Sequence, residues 1–402
     1  MKSTGQRWWI VALLFLAAVL NYVDKNSLAL LAPTIQQDLG LSDQDYANIQ
    51  NAFQIAYTVA LLASGVIVDK LGARISLALF VGWWSVANVL TAFARSASSL
   101  GAFRLLLGLG EAGNWTASPK TVAAWFPARE RGLAIGIYSA GTPLGMTLAP
   151  IFVIGLQQAF GWQSAFVVTG ILGLAWLVPW LLLSRREPTD SPPVAEVAAA
   201  PSWTWLQSFA RWEVWCLLFG RMLSDPVWFF YQNWYPKYLV SARGLTQAQV
   251  KLTWVMFLAG GLGSLIGGWF AGRLIRGGFG VERARLITML GCVLVMPLSL
   301  LVARVPTMEG SLAVASLIMF AHLAWLVNIS ALVVDVVPGA SLGKVFGLVA
   351  AGSSAGAVVM NGLVASLLKQ GSYSRWFVIA AFLHIAAWVC LAPLLQRKTT
   401  TA

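Results

Sequence analysis

The stretch GLAIGIYSAGTPLG, residues 132–145, has glycines at a 4-5-4 spacing, and GKVFGLVAAGSSAG, residues 343–356, repeats that spacing 211 positions later. Pro127 and Pro338, which precede the two stretches, keep the same offset. Small residues four positions apart let helix backbones approach closely in lipid. The repeat therefore predicts that the chain is duplicated, and that its fifth and eleventh apolar segments pack tightly against neighbouring helices.

Apolar segments of roughly 20 residues recur along the whole chain, and each is long enough to cross a bilayer as a helix. Hydrophobic residues make up 58% of the sequence and charged residues only 10%, whereas a soluble domain carries about 25% charged residues. The sequence predicts an all-α membrane protein with twelve transmembrane helices in two six-helix, pseudo-symmetric halves. The predicted spans lie near 8–33, 47–68, 74–93, 98–121, 131–156, 163–184, 213–241, 247–271, 286–303, 310–334, 343–368 and 374–396.

One long polar segment, SRREPTDSPPVAEVAAAPSWTW at 184–205, interrupts the apolar pattern. Its proline, alanine and charged residues are typical of a flexible linker. The expected division is an N-terminal bundle at 1–184, a cytoplasmic linker at 185–212 and a C-terminal bundle at 213–402. Two repeated six-helix bundles around a central site are the architecture of a transporter.

The net charge of +12 is explained by membrane topology. With a cytoplasmic N-terminus, sixteen of the 27 Lys and Arg residues fall in cytoplasmic segments, seven fall outside and four lie within spans. This distribution follows the positive-inside rule with both termini in the cytoplasm, and it argues against nucleic acid as a partner. We expect a monomer in the inner membrane of a bacterium, with the lipid bilayer and a small organic anion as its partners.

Charged residues interrupt the first span in NYVDKNSLAL, residues 21–30. Asp24 and Lys25 are adjacent, so they point about 100° apart on a helix and cannot pair well with each other. The fourth span offers Arg104 and Glu111, which are seven positions apart and therefore share a helix face. Two interpretations stay open: a structural salt bridge between Asp24 and Arg104, or ionisable groups whose partners change during transport.

Charges at membrane depth are expensive and usually mark a functional pathway. Removal from water disfavours the charged form of a carboxylate unless a cation compensates it, so Asp24 and Glu111 are the candidate proton carriers. Lys25 offers a fixed positive charge for an anionic substrate. Lys120, near the inner end of the same span as Glu111, is expected to extend toward the membrane surface.

The seventh span carries a second polar cluster. Arg221 and Asp225 are four positions apart and can form an ion pair along a helix. Trp228, Tyr231, Gln232 and Tyr235 follow at helical spacing, and aromatic faces beside an amide suit a hydroxylated ring. The alternative is an aromatic belt at the membrane interface.

The remaining polar residues in the spans allow two interpretations each. Gln54 and Tyr57 share a face of the second span with Gln50, while Asn328 and Asn361 contribute either substrate contacts or helix–helix hydrogen bonds. His322 lies 211 positions after Glu111 and is either a proton relay or a structural residue, and His384 is expected to be peripheral. Nucleophile–base sets, phosphate loops and metal-binding spacings are absent from the sequence. It therefore predicts no enzyme activity and no cofactor, with protons as the coupling ion.

At the level of families, GVIVDKLGAR at 65–74 resembles the loop signature of the major facilitator superfamily. A weaker echo, GGWFAGRLIR at 267–276, has Gly272 where that signature has an acid. Three further stretches resemble the anion:cation symporter family and, within it, bacterial hexuronate transporters. They are YVDKNSLALLAP in the first span, FRLLLGLGEAGNWTASPKTVAAWFPARERG in the fourth to fifth, and DPVWFFYQNWYPKYLVSARG in the seventh. Lys25 departs from the arginine that sugar-acid members often carry, and Thr142 from the glutamine of some relatives.

The resemblance implies proton-coupled import of an organic monoanion such as galacturonate or glucuronate, by alternating access. It implies that the acids at 24 and 111 take up protons and that the bases at 25 and 104 handle the carboxylate. The alternatives are another carboxylate, such as galactonate or a small aliphatic or aromatic acid, and a membrane carboxylate sensor. The full set of candidate substrate-binding residues is Tyr22, Lys25, Gln54, Tyr57, Arg104, Asn114, Trp115, Trp228, Tyr231, Gln232, Asn328 and Asn361. The candidate gating residues are Asp69, Arg74, Arg221 and Asp225.

Overall fold

The computed structural model describes residues 3–185, 202–244, 251–369 and 373–396, and its elements in these ranges are all helical. The α-helices before the predicted linker are α1 (Ser3–Leu39), α2 (Asp43–Thr91), α3 (Ala97–Trp125), α4 (Ala128–Ser139), α5 (Gly141–Phe160) and α6 (Trp162–Leu183). Those after it are α7 (Trp205–Phe209), α8 (Trp212–Asn233), α9 (Tyr235–Arg243), α10 (Trp254–Arg276), α11 (Val281–Val293), α12 (Ser299–Val302), α13 (Met308–Val336), α14 (Leu342–Lys369) and α15 (Ser374–Leu391). Short 3-10 turns lie at Lys251–Thr253, Met296–Leu298, Gly339–Ser341 and Ala392–Gln396.

Nine helical segments in the described part of the chain are long and apolar enough to cross a membrane. One of them is α2, which contains two of the predicted spans. The helices α3 and α8 account for the other two predicted spans, and each carries charged side chains inside it. Ile151, Leu294 and Val358 expose most of their side chains, as expected of apolar surfaces that face lipid. The chain is thus a multi-pass membrane protein, and the helices of its described residues are consistent with the twelve predicted spans.

The helix α2 bends sharply at Gly72, where the two spans that it contains meet. Gly72 has φ 78° and ψ 157°, a backbone conformation that residues with a Cβ rarely adopt. The first arm of α2 begins with a capping box, in which Ser42 and Asp45 satisfy each other's backbone N–H groups.

The predicted seventh span, 213–241, is interrupted between α8 and α9. Trp234, at the junction, has φ −109° and ψ −28°, and Pro236 stands in the first turn of α9, where its missing N–H costs no hydrogen bond. Trp234 is still in the right-handed helical region, and the rings of Tyr231 and Tyr235 lie 5.1 Å apart across the junction. This is the contact that the i, i+4 spacing of the two tyrosines predicts.

The described residues form two compact units. Unit 1 consists of the described residues within Met1–Phe126, Ile137–Ala200 and Gly339–Gly347. Unit 2 consists of the described residues within Pro127–Gly136, Pro201–Pro338 and Leu348–Ala402. Each unit thus includes a short segment from the other half of the sequence. The greater part of the predicted linker, 186–201, lies outside the described residues.

Glycines bring the helices of unit 1 close together. A Cβ added to Gly141 of α5 would lie 2.5 Å from the carbonyl oxygen of Phe15 on α1. One added to Gly145 would lie 2.7 Å from the carbonyl oxygen of Val19, also on α1. A Cβ on Gly343 would collide with the carbonyl oxygen of Gly65, so the segment 339–347 packs backbone to backbone against α2. The predicted tight packing of the fifth span is confirmed.

Unit 2 repeats this packing with the equivalent glycines. A Cβ on Gly356 of α14 would collide with the carbonyl oxygen of Met222 on α8, and one on Gly352 would lie 3.0 Å from the Leu218 side chain. Gly268 of α10 is in the same way pressed against the backbone of Gly132. The tight packing predicted for the eleventh span is therefore also confirmed.

Candidate functional site

Asp24 is fully buried in unit 1, and its hydrogen-bond partner is neutral. The Nδ2 atom of Asn88 donates to Asp24 Oδ1 over 2.8 Å. Arg104 interacts with Asp24 electrostatically, but no ion pair within 4.0 Å joins them in the described residues. The salt bridge of the structural interpretation is therefore wrong.

Lys25, one position further along α1, points to a different face and is surrounded by aromatic rings. Its Nζ atom lies 4.5 Å from the centroid of the Tyr57 ring, 5.6 Å from that of Phe53 and 5.8 Å from that of Tyr22. Cation–π attraction of this kind contributes about 0.5–2 kcal/mol per contact. The rings hold the ammonium group in place without neutralising its charge.

Arg104 and Glu111 lie on α3 as predicted, and both are buried. The guanidinium carbon of Arg104 lies 4.8 Å from the centroid of Phe53, the ring that also faces Lys25. Both carboxylate oxygens of Glu111, and the Nε and Nη1 atoms of Arg104, lack hydrogen-bond partners among the described residues. Glu111 interacts electrostatically with Lys25 and Arg104, and both of these cations face the Phe53 ring.

The other predicted substrate residues of unit 1 differ in their surroundings. Tyr22 and Trp115 meet edge to face with ring centroids 6.3 Å apart, which links α1 to α3 beside Lys25. Asn114 is buried, and its Oδ1 atom accepts a hydrogen bond from Ser118 over 3.1 Å. Gln54 is exposed. Tyr22, Tyr57 and Trp115 therefore join the charged cluster, while Asn114 is held within its own helix.

Two of the predicted gating residues fix the ends of helices in unit 1. Asp69 accepts hydrogen bonds from Lys120 Nζ at 2.7 Å and from the backbone N–H groups of Gly343 and Lys344 at 2.9 Å each. Lys120 therefore does not extend toward the membrane surface as predicted, because Asp69 holds it inside the unit. Arg74 donates to Ser184 Oγ at 3.1 Å and to the Leu181 carbonyl at 3.2 Å, and so it secures the end of α6.

Unit 2 contains the predicted ion pair on α8. Arg221 Nε donates to Asp225 Oδ2 over 2.7 Å, and Ser224 donates to the other carboxylate oxygen over 3.1 Å. Arg221 also reaches Ser330 Oγ on α13 at 3.4 Å. The prediction of an i, i+4 pair is confirmed, and the pair is anchored to a second helix.

A pair of histidines lies behind Trp228. The Trp228 ring stacks on His322 with centroids 6.4 Å apart and meets Phe257 edge to face at 5.8 Å. His322 Nδ1 lies 3.1 Å from His384 Nε2, and both imidazoles are fully buried. The expectation that His384 is peripheral is therefore wrong, because α15 packs against α8 and brings His384 into the interior of unit 2.

The remaining residues of the predicted set in unit 2 make mostly structural contacts. Asn328 donates to the carbonyl oxygens of Gly267 at 3.1 Å and Ala324 at 2.8 Å. Of the two interpretations of Asn328, the bond to Gly267 on α10 matches a helix–helix hydrogen bond. The exposed Asn361 accepts a hydrogen bond from Trp234 Nε1 over 2.8 Å. Tyr231 is buried, and Gln232 is only partly exposed.

A cluster at Asp335 was missed from the sequence. Its two carboxylate oxygens bind Arg131 Nη1 at 2.8 Å and Arg285 Nε at 2.6 Å. Arg285 has no exposed side-chain surface and also donates to the Ala128 carbonyl over 3.0 Å. The sequence contains one signal for this cluster. Gly272 stands where the loop signature, repeated in the second half of the chain, would carry an acid. Unit 2 carries its acid on α13 instead.

Asn88 and Thr169 were also missed. Both are fully buried polar residues in strongly apolar spans, and neither type is charged, so charge-based reasoning passes over them. Among the described residues, no group of three or more His, Cys, Asp or Glu side chains is arranged to hold a metal ion.

Twelve spans in two repeated sets, with ionisable side chains buried among them, define this chain as a polytopic membrane transporter. Residues 14–330 match the Major Facilitator Superfamily. The chain belongs to that superfamily, which confirms the family resemblance seen in its motifs and places it among transporters and not among enzymes.

The relatives of this chain include bacterial transporters of sugar acids. The hexuronate transporter of Escherichia coli (strain K12) is 30% identical over 314 residues, which cover 73% of this chain and 72% of that protein. The galacturonate transporter of Dickeya chrysanthemi is 30% identical over 284 residues, covering 67% and 82%. The hexuronate transporter of Bacillus subtilis (strain 168) is 28% identical over 389 residues, covering 94% and 92%.

Solved structures share the fold at low sequence identity. The superfamily transporter FucP in its outward conformation matches with a TM-score of 0.74 and 13% identity, over 97% of this chain and 99% of that one. The human organic anion transporter MFSD10 matches with a TM-score of 0.72 and 18% identity, over 95% and 98%.

Proposed function

We propose that this protein is a proton-coupled symporter that imports a hexuronate monoanion, galacturonate or glucuronate, by alternating access. We place it in the bacterial cytoplasmic membrane, as a monomer with both termini in the cytoplasm. Asp24 and Glu111 carry protons, Lys25 and Arg104 bind the substrate carboxylate, and no cofactor takes part.

The observation that carries this proposal is the state of Glu111 in unit 1. A buried carboxylate without hydrogen-bond donors is unstable as an anion, and it is stabilised by a proton or by a neighbouring cation. Its neighbours are Lys25 and Arg104, neither of which is ion-paired within the described residues. When a substrate carboxylate occupies these two cations, they no longer compensate Glu111, which then takes up a proton. Substrate and proton binding are thereby coupled through shared charges.

The charge balance depends on how many acids are protonated. One proton with one monoanion moves no net charge, so a pH gradient of one unit supports about tenfold accumulation. A second proton on Asp24 would add about 2.3 kcal/mol per 100 mV of membrane potential. Two buried acids favour the two-proton scheme.

The substrate class is supported by the names of the relatives and by the aromatic side chains beside the cations. The rings of Tyr22 and Tyr57 face Lys25, and Trp115 contacts Tyr22. Aromatic faces of this kind suit the apolar face of a sugar ring. A D-galactonate transporter, 29% identical over 307 residues, is also among the relatives. An aldonate is therefore the second candidate substrate.

The test is uptake into vesicles reconstituted with the purified protein. Labelled galacturonate is added outside alkaline-loaded vesicles with the membrane potential clamped to zero, and about tenfold accumulation per pH unit and proton is expected. Glucuronate, galactonate and an aliphatic acid are added as competitors, and galacturonate or glucuronate should compete best. The double variant Asp24→Asn with Glu111→Gln should lose accumulation. Saturable binding without uptake would instead identify a carboxylate sensor, and uptake that ignores the pH gradient would refute proton coupling.

A further inference from the structure

A neutral hydrogen-bond network holds Asp24 in unit 1. The Asn88 amide, on the second arm of α2, donates to Asp24 Oδ1 over 2.8 Å and to Thr169 Oγ1 over 2.6 Å. It also lies 3.3 Å from the Phe166 carbonyl. Thr169 Oγ1 donates in turn to the Ala165 carbonyl over 2.9 Å, which fixes the hydroxyl on α6. Three helices thus determine where the Asp24 carboxyl points.

The charged groups near Asp24 come from the helices that carry the proposed site. Arg104 and Glu111 of α3 and Lys25 of α1 are the ionisable groups of this region. The helices α5 and α6, which also pack on α1, contain no ionisable side chain that is charged at neutral pH. The second arm of α2 contributes Arg74, which is bound to Ser184 at the end of α6. The direct partners of Asp24 are therefore uncharged.

An asparagine amide can serve both protonation states of a carboxyl group. Its NH₂ group donates to a carboxylate, and its carbonyl oxygen accepts from a carboxylic acid. In the structure Asn88 Oδ1 is buried without a partner, and so is Asp24 Oδ2. The Phe166 carbonyl and the Thr169 hydroxyl hold the amide with its NH₂ group toward Asp24, so in this orientation it serves the carboxylate and offers no acceptor to an acid proton.

We propose that Asn88 and Thr169 are positioning residues that set the proton affinity of Asp24 and so the pH range of transport. This inference rests on the proposed role of Asp24 as a proton carrier. Asn88 acts directly, by donating to the carboxylate. Thr169 holds that amide in the donating orientation, and its own hydroxyl also lies within hydrogen-bonding reach of Asp24.

The sign of the effect follows from the donor role. A donor to the carboxylate favours the charged form, so its loss makes Asp24 retain its proton to higher pH. In Asn88→Leu the external pH of half-maximal uptake should rise by roughly 0.4 to 1 unit. Thr169→Val removes only the hydroxyl at nearly constant shape and should also raise this half-maximal pH. Thr169→Ser keeps the hydroxyl and should restore the wild-type profile.

The experiment measures galacturonate uptake against external pH in vesicles that hold each full-length variant. A purely structural role would lower the maximal rate without moving the half-maximal pH. If Thr169→Val and Asn88→Leu both keep that pH within about 0.2 unit of wild type, the inference is wrong. If Asn88→Leu fails to fold, the comparison of Thr169→Val with Thr169→Ser decides.

Asp24→Asn separates this inference from the function on which it rests. If Asp24→Asn abolishes accumulation while the Thr169 and Asn88 variants leave the pH profile unchanged, only the inference fails. If Asp24→Asn accumulates substrate as wild type does, Asp24 carries no proton and the proposed function must be revised.

Discussion

The cluster at Asp335 allows a prediction about the stability of unit 2. In Asp335→Leu, Arg285 loses its 2.6 Å partner inside a site where none of its side chain is exposed. Removal of one partner from a buried ion pair costs about 3–5 kcal/mol, because an uncompensated charge remains. Arg131 has a side chain that is 23% exposed, so water solvates it and its share of the loss is below about 1 kcal/mol.

The double variant Asp335→Leu with Arg285→Met is the matched control. Replacement of a whole buried pair by apolar side chains is often neutral for stability, so most of the loss should be recovered. The Ala128 carbonyl, which Arg285 also binds, keeps the recovery from being complete, since an unmade buried hydrogen bond costs about 1–3 kcal/mol.

The assay is thermal unfolding in detergent, followed by tryptophan fluorescence at one fixed scan rate. At about 2–4 °C per kcal/mol for a unit of this size, Asp335→Leu should lower Tm by about 6–20 °C. The double variant should return to within a few degrees of wild type, and Arg131→Gln should change Tm little. If Asp335→Leu melts as wild type does, or if the two substitutions are simply additive, the buried charge does not govern the stability of unit 2.

Three further predictions concern transport. Glu111→Gln should keep substrate exchange but lose proton-driven accumulation, and accumulation equal to wild type would reject its coupling role. Lys25→Ala removes a charged partner of the substrate carboxylate and should raise the Kd for galacturonate, measured by calorimetry, roughly 10- to 150-fold. Lys25→Arg, which keeps the charge, is its control. A wild-type Kd in Lys25→Ala would show that Lys25 does not bind the substrate. Trp228→Ala should weaken sugar acids by roughly 2- to 12-fold more than short aliphatic acids in a competition assay, and equal losses would exclude ring stacking on Trp228.

Much of the architecture was predictable because membrane spans are encoded locally, in runs of apolar residues. The glycine repeat also predicted the tight packing of α5 and α14, and the spacing of Arg221 and Asp225 predicted their pair. The break at Trp234 was not predictable from periodicity, since the aromatic pattern continues past it.

The partners of the charged residues were less predictable, because they depend on which helices meet. One of the two interpretations of the sequence pairs Asp24 with Arg104, but the side chain that reaches Asp24 is Asn88, 64 positions away. Lys120 was expected to extend outward, yet Asp69 lies beside it once α2 packs on α3. Such pairings require the helix rotations and depths that packing fixes, which a single span does not reveal.

The exchange of short segments between the units has a consequence for gene fragments. A fragment that ends at the linker lacks the N–H groups of Gly343 and Lys344 that Asp69 binds, and nothing covers Gly65. Its complementary fragment lacks Gly132, against which Gly268 packs. Neither half is complete as a folding unit, so each should be degraded when expressed alone and rescued when both are synthesised together.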